Sequence, residues 1–298
     1  MKFSDQTWIH AYSPACVLRI TGPDAATFLQ GQFTNDLSTV SMGKSAYGLW
    51  LDRKGRVLGD SHVIRAAAGD GFWVVSVASG GDAIARHLSA HLIADEVEVA
   101  DESGRWRGLA LVGEGTGAWL AQGERPGHFF PGRRALAENW EWVFPEAGPA
   151  HAGPAAPAGR AAGPDEIELL RINSGIPAVP ADIGPGDLPS EGGLEADAIS
   201  YSKGCYIGQE VMARIKALGR VRRALVRVRG PGPAPAVPAA LWRGARREGE
   251  LRSVAGDAGG FAGLALVSVA AAAEDGGLAL GSGAPPTLSV ERLRAPAA

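Results

Sequence analysis

The chain has 298 residues, of which 46% are hydrophobic and 20% charged, and this composition is typical of a globular protein with two or three compact units. The formal net charge of −3 provides no basic field, so we expect no stable nucleic-acid partner. Two cysteines, Cys16 and Cys205, are too few for a disulfide framework or for a metal site built from cysteine alone.

The sequence also predicts a cytoplasmic protein. Its longest uncharged apolar stretch, residues 261–273, is shorter than the roughly 18 residues that span a bilayer, so no membrane partner is expected. The acidic Asp5 precedes any apolar run, which argues against a signal peptide. His87 and His91 have metal-ligand spacing on a predicted helix, but Leu88 stands where the zinc-protease motif has glutamate, so we predict no metal site.

In chain order, the N-terminal half alternates short strands and helices. Pro23 and Asp24 follow a predicted strand and favour a helix start, because proline needs no hydrogen-bond partner there and an acid suits the helix dipole. The turn at residues 52–55, Asp-Arg-Lys-Gly, separates two β-rich runs and indicates a hairpin. Strands are predicted at residues 16–21, 47–51, 57–65, 72–78, 97–99 and 109–112, and a helix over 82–93. This order predicts an α+β fold with mostly antiparallel sheets.

Composition divides the chain into four regions. Residues 1–144 form the predicted N-terminal α+β region. Residues 145–164 are nearly all Ala, Gly and Pro and predict an exposed loop, because few large apolar side chains are available for packing. Residues 165–229 carry the motif described next, and the strand-rich residues 230–298 predict a small C-terminal β-barrel.

The strongest motif is the octapeptide 203–210, Lys-Gly-Cys-Tyr-Ile-Gly-Gln-Glu, which surrounds Cys205 with glycines, a lysine and a carboxylate. Glycine permits positive φ angles and close approach of a ligand to the backbone. Lys203 and the N-terminus of a helix predicted just after Gly208 both favour the thiolate form of Cys205. The pattern is that of a reactive cysteine, and it also suits an inert buried cysteine in a tight strand-to-helix turn.

The octapeptide and its flanks resemble the YgfZ-type folate-binding proteins, which belong to the superfamily of the glycine-cleavage T-protein, an aminomethyltransferase. The flanks are residues 171–177 (Arg-Ile-Asn-Ser-Gly-Ile-Pro), residues 188–189 (Leu-Pro), Ala213-Arg214 and Gly219-x-Val221-x-Arg223. Residues 24–36 and 52–57 resemble the family's N-terminal elements, so the resemblance covers most of the chain. It implies the T-protein architecture, in which sub-domains surround a central folate channel that a C-terminal β-barrel closes.

The resemblance also assigns roles to single residues. Asp60 matches the catalytic aspartate of the T-protein, although Gly59 replaces the acid that precedes it, and a solvent-facing strand aspartate is the alternative. Asn173 stands at the position of the T-protein's pterin-binding glutamate. An asparagine can still pair with a pterin edge as donor and acceptor, but it cannot form a charge-assisted bond. Glu210 is a candidate for the missing carboxylate.

The leading hypothesis is an accessory protein that binds tetrahydrofolate or a derivative and, by resemblance, supports the assembly or repair of iron–sulfur enzymes, including those that modify tRNA. Its partners would be iron–sulfur enzymes or assembly factors. Cys205, Lys203 and Asp60 are the candidate catalytic residues, and Cys205 would capture a one-carbon unit or hold iron or a cluster with an external ligand. The candidate folate-binding residues are Asn35, Arg171, Asn173, Gly204, Tyr206, Gly208, Gln209, Glu210 and Arg214.

Two other functions stay open. A folate-dependent aminomethyltransferase would use Asp60 to orient the folate nitrogen and the aminomethyl donor for proton transfer, although that branch of the superfamily needs no cysteine in the motif. The third possibility is an interaction module with a vestigial pocket. Release of tetrahydrofolate from an aminomethylated carrier protein identifies the transferase, whereas bound folate without turnover identifies the accessory protein.

Overall fold

The computed structural model of the chain describes residues 7–67, 71–122, 125–146, 159–219, 221–257 and 259–293. In chain order the strands are β1 Thr7–Tyr12, β2 Cys16–Thr21, β3 Ser45–Leu51, β4 Val57–Arg65, β5 Gly71–Ser76, β6 Glu98–Asp101, β7 Trp106–Val112, β8 His128–Pro131, β9 Asn139–Pro145, β10 Gly159–Ala161, β11 Arg223–Pro231, β12 Ala239–Arg243, β13 Arg246–Asp257, β14 Gly260–Ser268 and β15 Ser289–Arg292. The helices are α1 Ala25–Gln32, α2 Gly81–Ser89, α3 Thr116–Leu120, α4 Pro164–Ser174, α5 Glu195–Ala198, α6 Gln209–Leu218 and α7 Val269–Ala273.

The strands of the described residues form three five-stranded sheets. One strand pair, β1 with β10, is parallel, and the other pairings between named strands are antiparallel. The predicted α+β class with mostly antiparallel sheets is therefore confirmed. Among the described residues, no helix is long and apolar enough to cross a membrane.

The first sheet has the strand order β3-β4-β5-β2-β6 and lies in the N-terminal region. Helix α1 packs against this sheet and buries Phe28 and Leu29 in the apolar cluster between them, as the sequence predicts. The hairpin at residues 52–55 is confirmed, and its register places Leu49 opposite Asp60. Helix α2 ends at Ser89 rather than at residue 93, because Ile93 is 92% exposed and finds no core to pack against.

The second sheet has the strand order β10-β1-β7-β9-β8 and corrects one expectation. Residues 159–161 belong to the predicted loop, yet they form β10 and pair with residues 7–9 of β1. An edge strand is held through its backbone groups, so small side chains leave no sequence signal for it. Helix α4 also begins before the predicted end of the loop, at Pro164, whereas residues 147–158 lie outside the described residues.

The third sheet has the strand order β12-β13-β14-β11-β15. It begins at Arg223, so β11 crosses the predicted domain boundary between residues 229 and 230. Two isolated bridges, Trp242 with Ala279 and Leu278 with Leu288, connect the first strand of the sheet to the residues before its last strand. Leu278 and Leu288 of these bridges belong to a buried apolar cluster with side chains of the sheet. Among the described residues the strand order is open, from β12 to β15, so the small C-terminal barrel stays a prediction.

A central apolar core joins the first and third sheets and fixes the position of the functional site. The segment 172–199 and the motif region both contribute side chains to it. Burial of each large apolar side chain contributes about 1.5–3 kcal/mol, so this core holds the motif firmly against both sheets. Its buried members include Leu49, Leu51 and Val57 of the first sheet, Ile172, Ile183 and Leu194 of the segment, Tyr206 and Met212 of the motif region, and Leu225, Leu264 and Leu266 of the third sheet.

Candidate functional site

A cavity of about 80 Å³ lies where the first sheet, the second sheet and residues 177–179 meet. Its wall combines aromatic and charged side chains, so it is the candidate ligand site of this fold. The lining includes Tyr47, Asp60, His62, Phe130, Arg134 and Glu141.

Asp60, which projects from β4, is held by three hydroxyl groups. The Ser76 and Ser79 hydroxyls donate to its Oδ1 at 3.0 and 2.6 Å, and the Tyr47 hydroxyl donates to Oδ2 at 3.0 Å. Gly59 stands where the T-protein has an acid, and the space at this position is small. A Cβ at residue 59 would lie only 3.1 Å from the Cβ of Ser79. Glycine at position 59 therefore admits the serine that fixes the carboxylate.

Burial raises the pKa of Asp60, and the hydrogen bonds from Ser79, Tyr47 and Ser76 oppose that rise. Arg133 also lowers the pKa of Asp60 through its charge. The Arg133 guanidinium lies 4.0 Å from the centroid of the Tyr47 ring and forms an ion pair with Asp197. Tyr47 and Arg133 were not predicted as site residues, because neither lies in a recognisable motif and the fold alone brings them to Asp60.

Asp60→Asn is expected to raise the melting temperature by about 2–4 °C near pH 7, since the amide keeps an acceptor for the two serines and removes a buried charge. The folded-state pKa of Asp60 is raised, so the cost of its charge exists above that pKa and disappears as the pH falls through it. The gain should therefore shrink in melts at acidic pH. An asparagine variant that is less stable than wild type at every pH contradicts this assignment.

Lys203 anchors the cysteine motif to the end of α1. Its Nζ donates to the backbone carbonyls of Gln30, Phe33 and Asn35 at 2.7, 2.7 and 3.0 Å. Burial lowers the pKa of Lys203 to about 8. Because all three ammonium hydrogens go to carbonyl groups, the lysine acts first as a support for the loop that carries Cys205.

Helix α6 begins at Gln209, as the sequence predicts, and Gly208 makes this start possible. Gly208 has a φ of +85°, and a Cβ there would lie 2.9 Å from the carbonyl oxygen of Asp52. The hairpin turn at residues 52–55 therefore packs directly against the motif. Cys205 itself is exposed on the loop, and a Cβ placed on the neighbouring Gly204 would meet only open space.

The predicted site residues divide into two groups. Asp60 and Arg171 line the cavity. The Asn35 side chain donates to the carbonyls of Tyr47 and Asp197, so it ties α5 to β3. The motif residues form the second group and lie on the loop and the first turns of α6. Tyr206 is buried in the central core, and Gln209 is half-buried. The exposed Glu210 forms an ion pair with Arg214 at 2.9 Å.

Asn173 lies away from the cavity lining. Its side-chain oxygen accepts a hydrogen bond from Arg229 at 2.6 Å, and its carbonyl accepts one from Arg227. Arg171 lines the cavity, but its guanidinium is already bonded to Glu168, Asp182, Ser253 and the carbonyl of Ile176. The contacts therefore give Arg171 a structural role and give Asn173 a surface role.

The two cysteines should differ sharply in reactivity. Cys16 is fully buried, and burial raises the pKa of its thiol to about 12. Cys205 is exposed, so it needs no opening of the fold to react. We expect iodoacetamide to alkylate Cys205 at least roughly 100-fold faster than Cys16, whose reaction must wait for local unfolding. Equal rates for the two thiols, measured by peptide mass spectrometry at neutral pH, would contradict the structure.

Comparison with solved structures defines the fold. The glycine cleavage system aminomethyltransferase T from Bartonella henselae superposes with a TM-score of 0.76, covering 97% of this chain and 86% of that protein at 20% sequence identity. Residues 11–124 also match the family model described as the GCVT N-terminal domain. The fold is therefore that of the T-protein.

Sequence relatives narrow this assignment. The human iron-sulfur cluster assembly factor IBA57, mitochondrial, is 32% identical over 237 residues, which are 74% of this chain and 65% of that protein. The tRNA-modifying protein YgfZ of Edwardsiella ictaluri (strain 93-146) is 29% identical over 235 residues, or 72% of this chain and 68% of that protein. The match thus spans just under two thirds of the human relative's length. The chain is therefore similar in fold to the T-protein and similar in sequence to IBA57 and YgfZ proteins.

Proposed function

We propose that this chain is a cytoplasmic folate-binding accessory protein that supports the assembly or repair of iron–sulfur enzymes, among them enzymes that modify tRNA. The names of its relatives, an iron-sulfur cluster assembly factor and a tRNA-modifying protein, support this direction. The observation that carries the proposal is the Asp60 carboxylate, fixed by three hydroxyls at the wall of a cavity in a T-protein fold.

The cavity suits tetrahydrofolate in its chemistry. His62 and Phe130 stack at a centroid distance of 4.2 Å and, with the Tyr47 ring, line the space with flat apolar faces suited to a pterin. Asp60 supplies an acceptor for a ring N–H. Tyr47, Asp60 and the residues of the opposite wall would hold the ring system, and the bound cofactor supplies a carrier for one-carbon units.

Cys205 is the proposed reactive group of the accessory function. Its thiol is exposed on a loop that Lys203 and Gly208 hold in one conformation, so a partner protein can reach it without unfolding the chain. The thiolate would attack the methylene carbon of a methylene-folate, forming a C–S bond while a C–N bond breaks and the folate nitrogen takes up a proton. Alternatively, it would hold iron or a cluster as cargo together with ligands from an iron–sulfur enzyme or assembly factor. These two roles share the same requirement for an accessible thiol.

A second candidate function is a folate-dependent aminomethyltransferase. The T-protein fold and the buried Asp60 support it, since a fixed carboxylate beside the bound folate could orient the donor for proton transfer. Two observations do not support the transferase. Asn173, which stands at the position of the pterin-binding glutamate, lies outside the cavity lining. Aminomethyl transfer also gives no role to the exposed Cys205. Robust release of tetrahydrofolate from an aminomethylated carrier protein, lost in Asp60→Asn, would favour the transferase.

Tetrahydrofolate is expected to raise the melting temperature of the protein. A ligand at about 100 times its Kd stabilises the folded state by roughly 2.7 kcal/mol. Asp60→Ala should reduce the shift, whereas Cys205→Ala should keep it, because the cysteine lies on the exposed loop and outside the cavity lining. No shift of the wild-type protein at millimolar tetrahydrofolate would contradict folate binding.

A further inference from the structure

The turn between β3 and β4 carries three cations that no acid pairs with. Arg53, Lys54 and Arg56 are exposed, and none of them forms an ion pair with another described residue. The Asp52 carboxylate accepts hydrogen bonds from the backbone N–H groups of Lys54 and Arg56 at 2.8 and 2.9 Å. The acid therefore shapes the turn, and the three cations stay open to solvent.

This turn packs directly against the cysteine motif. A Cβ on Gly55 would lie 2.9 Å from the Cβ of Val211 on α6, and a Cβ on Gly208 would lie 3.1 Å from the Cα of Gly55. Gly208 is three residues from Cys205 in the chain, so their Cα atoms are no more than about 12 Å apart. The three cations therefore stand beside the exposed thiol of Cys205.

Helix α6 extends this charged surface. Arg214 and Lys216 are exposed; Arg214 pairs with the exposed Glu210, and Lys216 lies over the Tyr201 ring. Residues 52–56 and α6 together carry five cations and two acids, which is a net charge of +3 on a chain whose net charge is −3. A local concentration of cations, opposite in sign to the whole chain, attracts an anionic partner to this part of the surface.

The chemistry of this surface fits an acidic protein better than a nucleic acid. Proteins that bind single-stranded nucleic acid stack its bases on aromatic rings. Here Tyr206 is buried, and Lys216 covers the ring of Tyr201. Leu218 at the end of α6 is 65% exposed and offers the kind of apolar contact that the core of a protein interface uses. Carboxylates of a partner protein pair well with both arginine and lysine.

We propose that the cationic surface formed by residues 52–56, Cys205 and α6 docks an acidic face of the iron–sulfur enzyme or assembly factor that exchanges cargo with Cys205. This inference rests on the proposed function and names the chemistry of its partner. Arg53, Lys54 and Arg56 attract the carboxylates and bring the partner's own ligands next to the thiol. Charge complementarity of this kind raises the rate of encounter and fixes the orientation of two proteins.

Two peptide probes that differ only in charge test this surface. Each carries a central cysteine as a mixed disulfide with thionitrobenzoate, flanked by four glutamates in the acidic probe and by four glutamines in the neutral probe. The Cys205 thiolate attacks the peptide sulfur, so a new disulfide forms and the coloured thionitrobenzoate anion leaves. With the wild-type protein the acidic probe should react at least about 10-fold faster than the neutral probe at low salt. This ratio should fall below about 3 in about 0.5 M salt, which screens the charges. A ratio near one at low salt would overturn the proposal.

A matched pair of double variants locates the effect. Lys54→Gln with Arg56→Gln should lower the ratio at least about 3-fold, because the acidic probe loses two cations beside the thiol. Lys44→Gln with Arg65→Gln removes the same two charges from exposed positions at the opposite end of β3 and β4, so the ratio should keep its wild-type value. Comparison of the two probes within each protein cancels any change in the reactivity of the thiol itself. Equal losses in the two double variants would show an effect of net charge alone and would overturn the docking surface.

Two further measurements separate this inference from other partners and from the proposed function. Protection of Cys205 from the neutral probe by a micromolar RNA stem-loop, in about 150 mM salt, would assign the surface to nucleic acid and overturn the proposal. In bacteria that lack their own YgfZ-type protein, Lys54→Gln with Arg56→Gln should restore less iron–sulfur enzyme activity than Lys44→Gln with Arg65→Gln at equal expression. Equal rescue by the two double variants would contradict the docking role alone, whereas no rescue by the wild-type chain would contradict the proposed function.

Discussion

Arg171→Met is expected to lower the free energy of unfolding by about 3–5 kcal/mol, because it leaves the fully buried Asp182 without its cation. Arg171 connects three parts of the fold. Its guanidinium bonds to Glu168 on α4, to Asp182 in the segment that lines the cavity, and to Ser253 on β13. The substitution should therefore loosen the third sheet from the cavity wall.

Urea unfolding of the variant checks this effect. Arg229→Met is a suitable control, since Arg229 forms its ion pair with Asp257 at the surface and should contribute less than about 1 kcal/mol. The loss in Arg171→Met should diminish at acidic pH, because a protonated Asp182 has no charge to bury. A variant as stable as wild type at neutral pH would contradict the structural role of Arg171.

Lys203→Met is expected to lower the free energy of unfolding by about 2–4 kcal/mol, since the three carbonyl groups at the end of α1 lose a charged donor and stay partly buried. The same change should free the loop around Cys205. Hydrogen exchange of the amides at residues 204–208 should then increase, because the loop loses its attachment to α1.

Lys216→Met is the matched control for this prediction. Lys216 lies on α6 with its Nζ 3.7 Å from the Tyr201 ring centroid at the surface, a contact that contributes about 0.5–1 kcal/mol. A Lys203→Met protein with unchanged stability and unchanged exchange would contradict the anchoring role. In that case, slower alkylation of Cys205 in Lys203→Met than in wild type would show that the lysine acts on the thiol directly, as the motif predicts.

Local features of the sequence predicted much of the fold. The helix that begins at Gln209 was predictable because a glycine, polar residues and an apolar period lie next to each other in the chain. The hairpin at residues 52–55 and the buried face of α1 were predictable for the same reason. Strand β10 was not predictable, since its pairing depends on backbone groups of residues 7–9, about 150 positions away.

The site was less accessible to sequence reasoning. Lys203 stands two residues from Cys205, so the sequence predicts that its charge stabilises the thiolate. In the structure, its hydrogen bonds go instead to carbonyl groups some 170 positions earlier in the chain. Glu141 was missed because a glutamate between two tryptophans indicates an exposed acid, whereas the fold buries it beside Arg134. Tertiary contacts of this kind leave no pattern in a single sequence.

Rescue of iron–sulfur enzyme activity in bacteria that lack their own YgfZ-type protein tests the proposed function most directly. The wild-type chain should restore the activity. Cys205→Ala should fold, bind tetrahydrofolate and fail to restore it, whereas Cys16→Ala should restore it, because the Cys16 thiol is buried and unreactive. Full rescue by Cys205→Ala, or no rescue by the wild-type chain at equal expression, would contradict an accessory function that depends on this thiol.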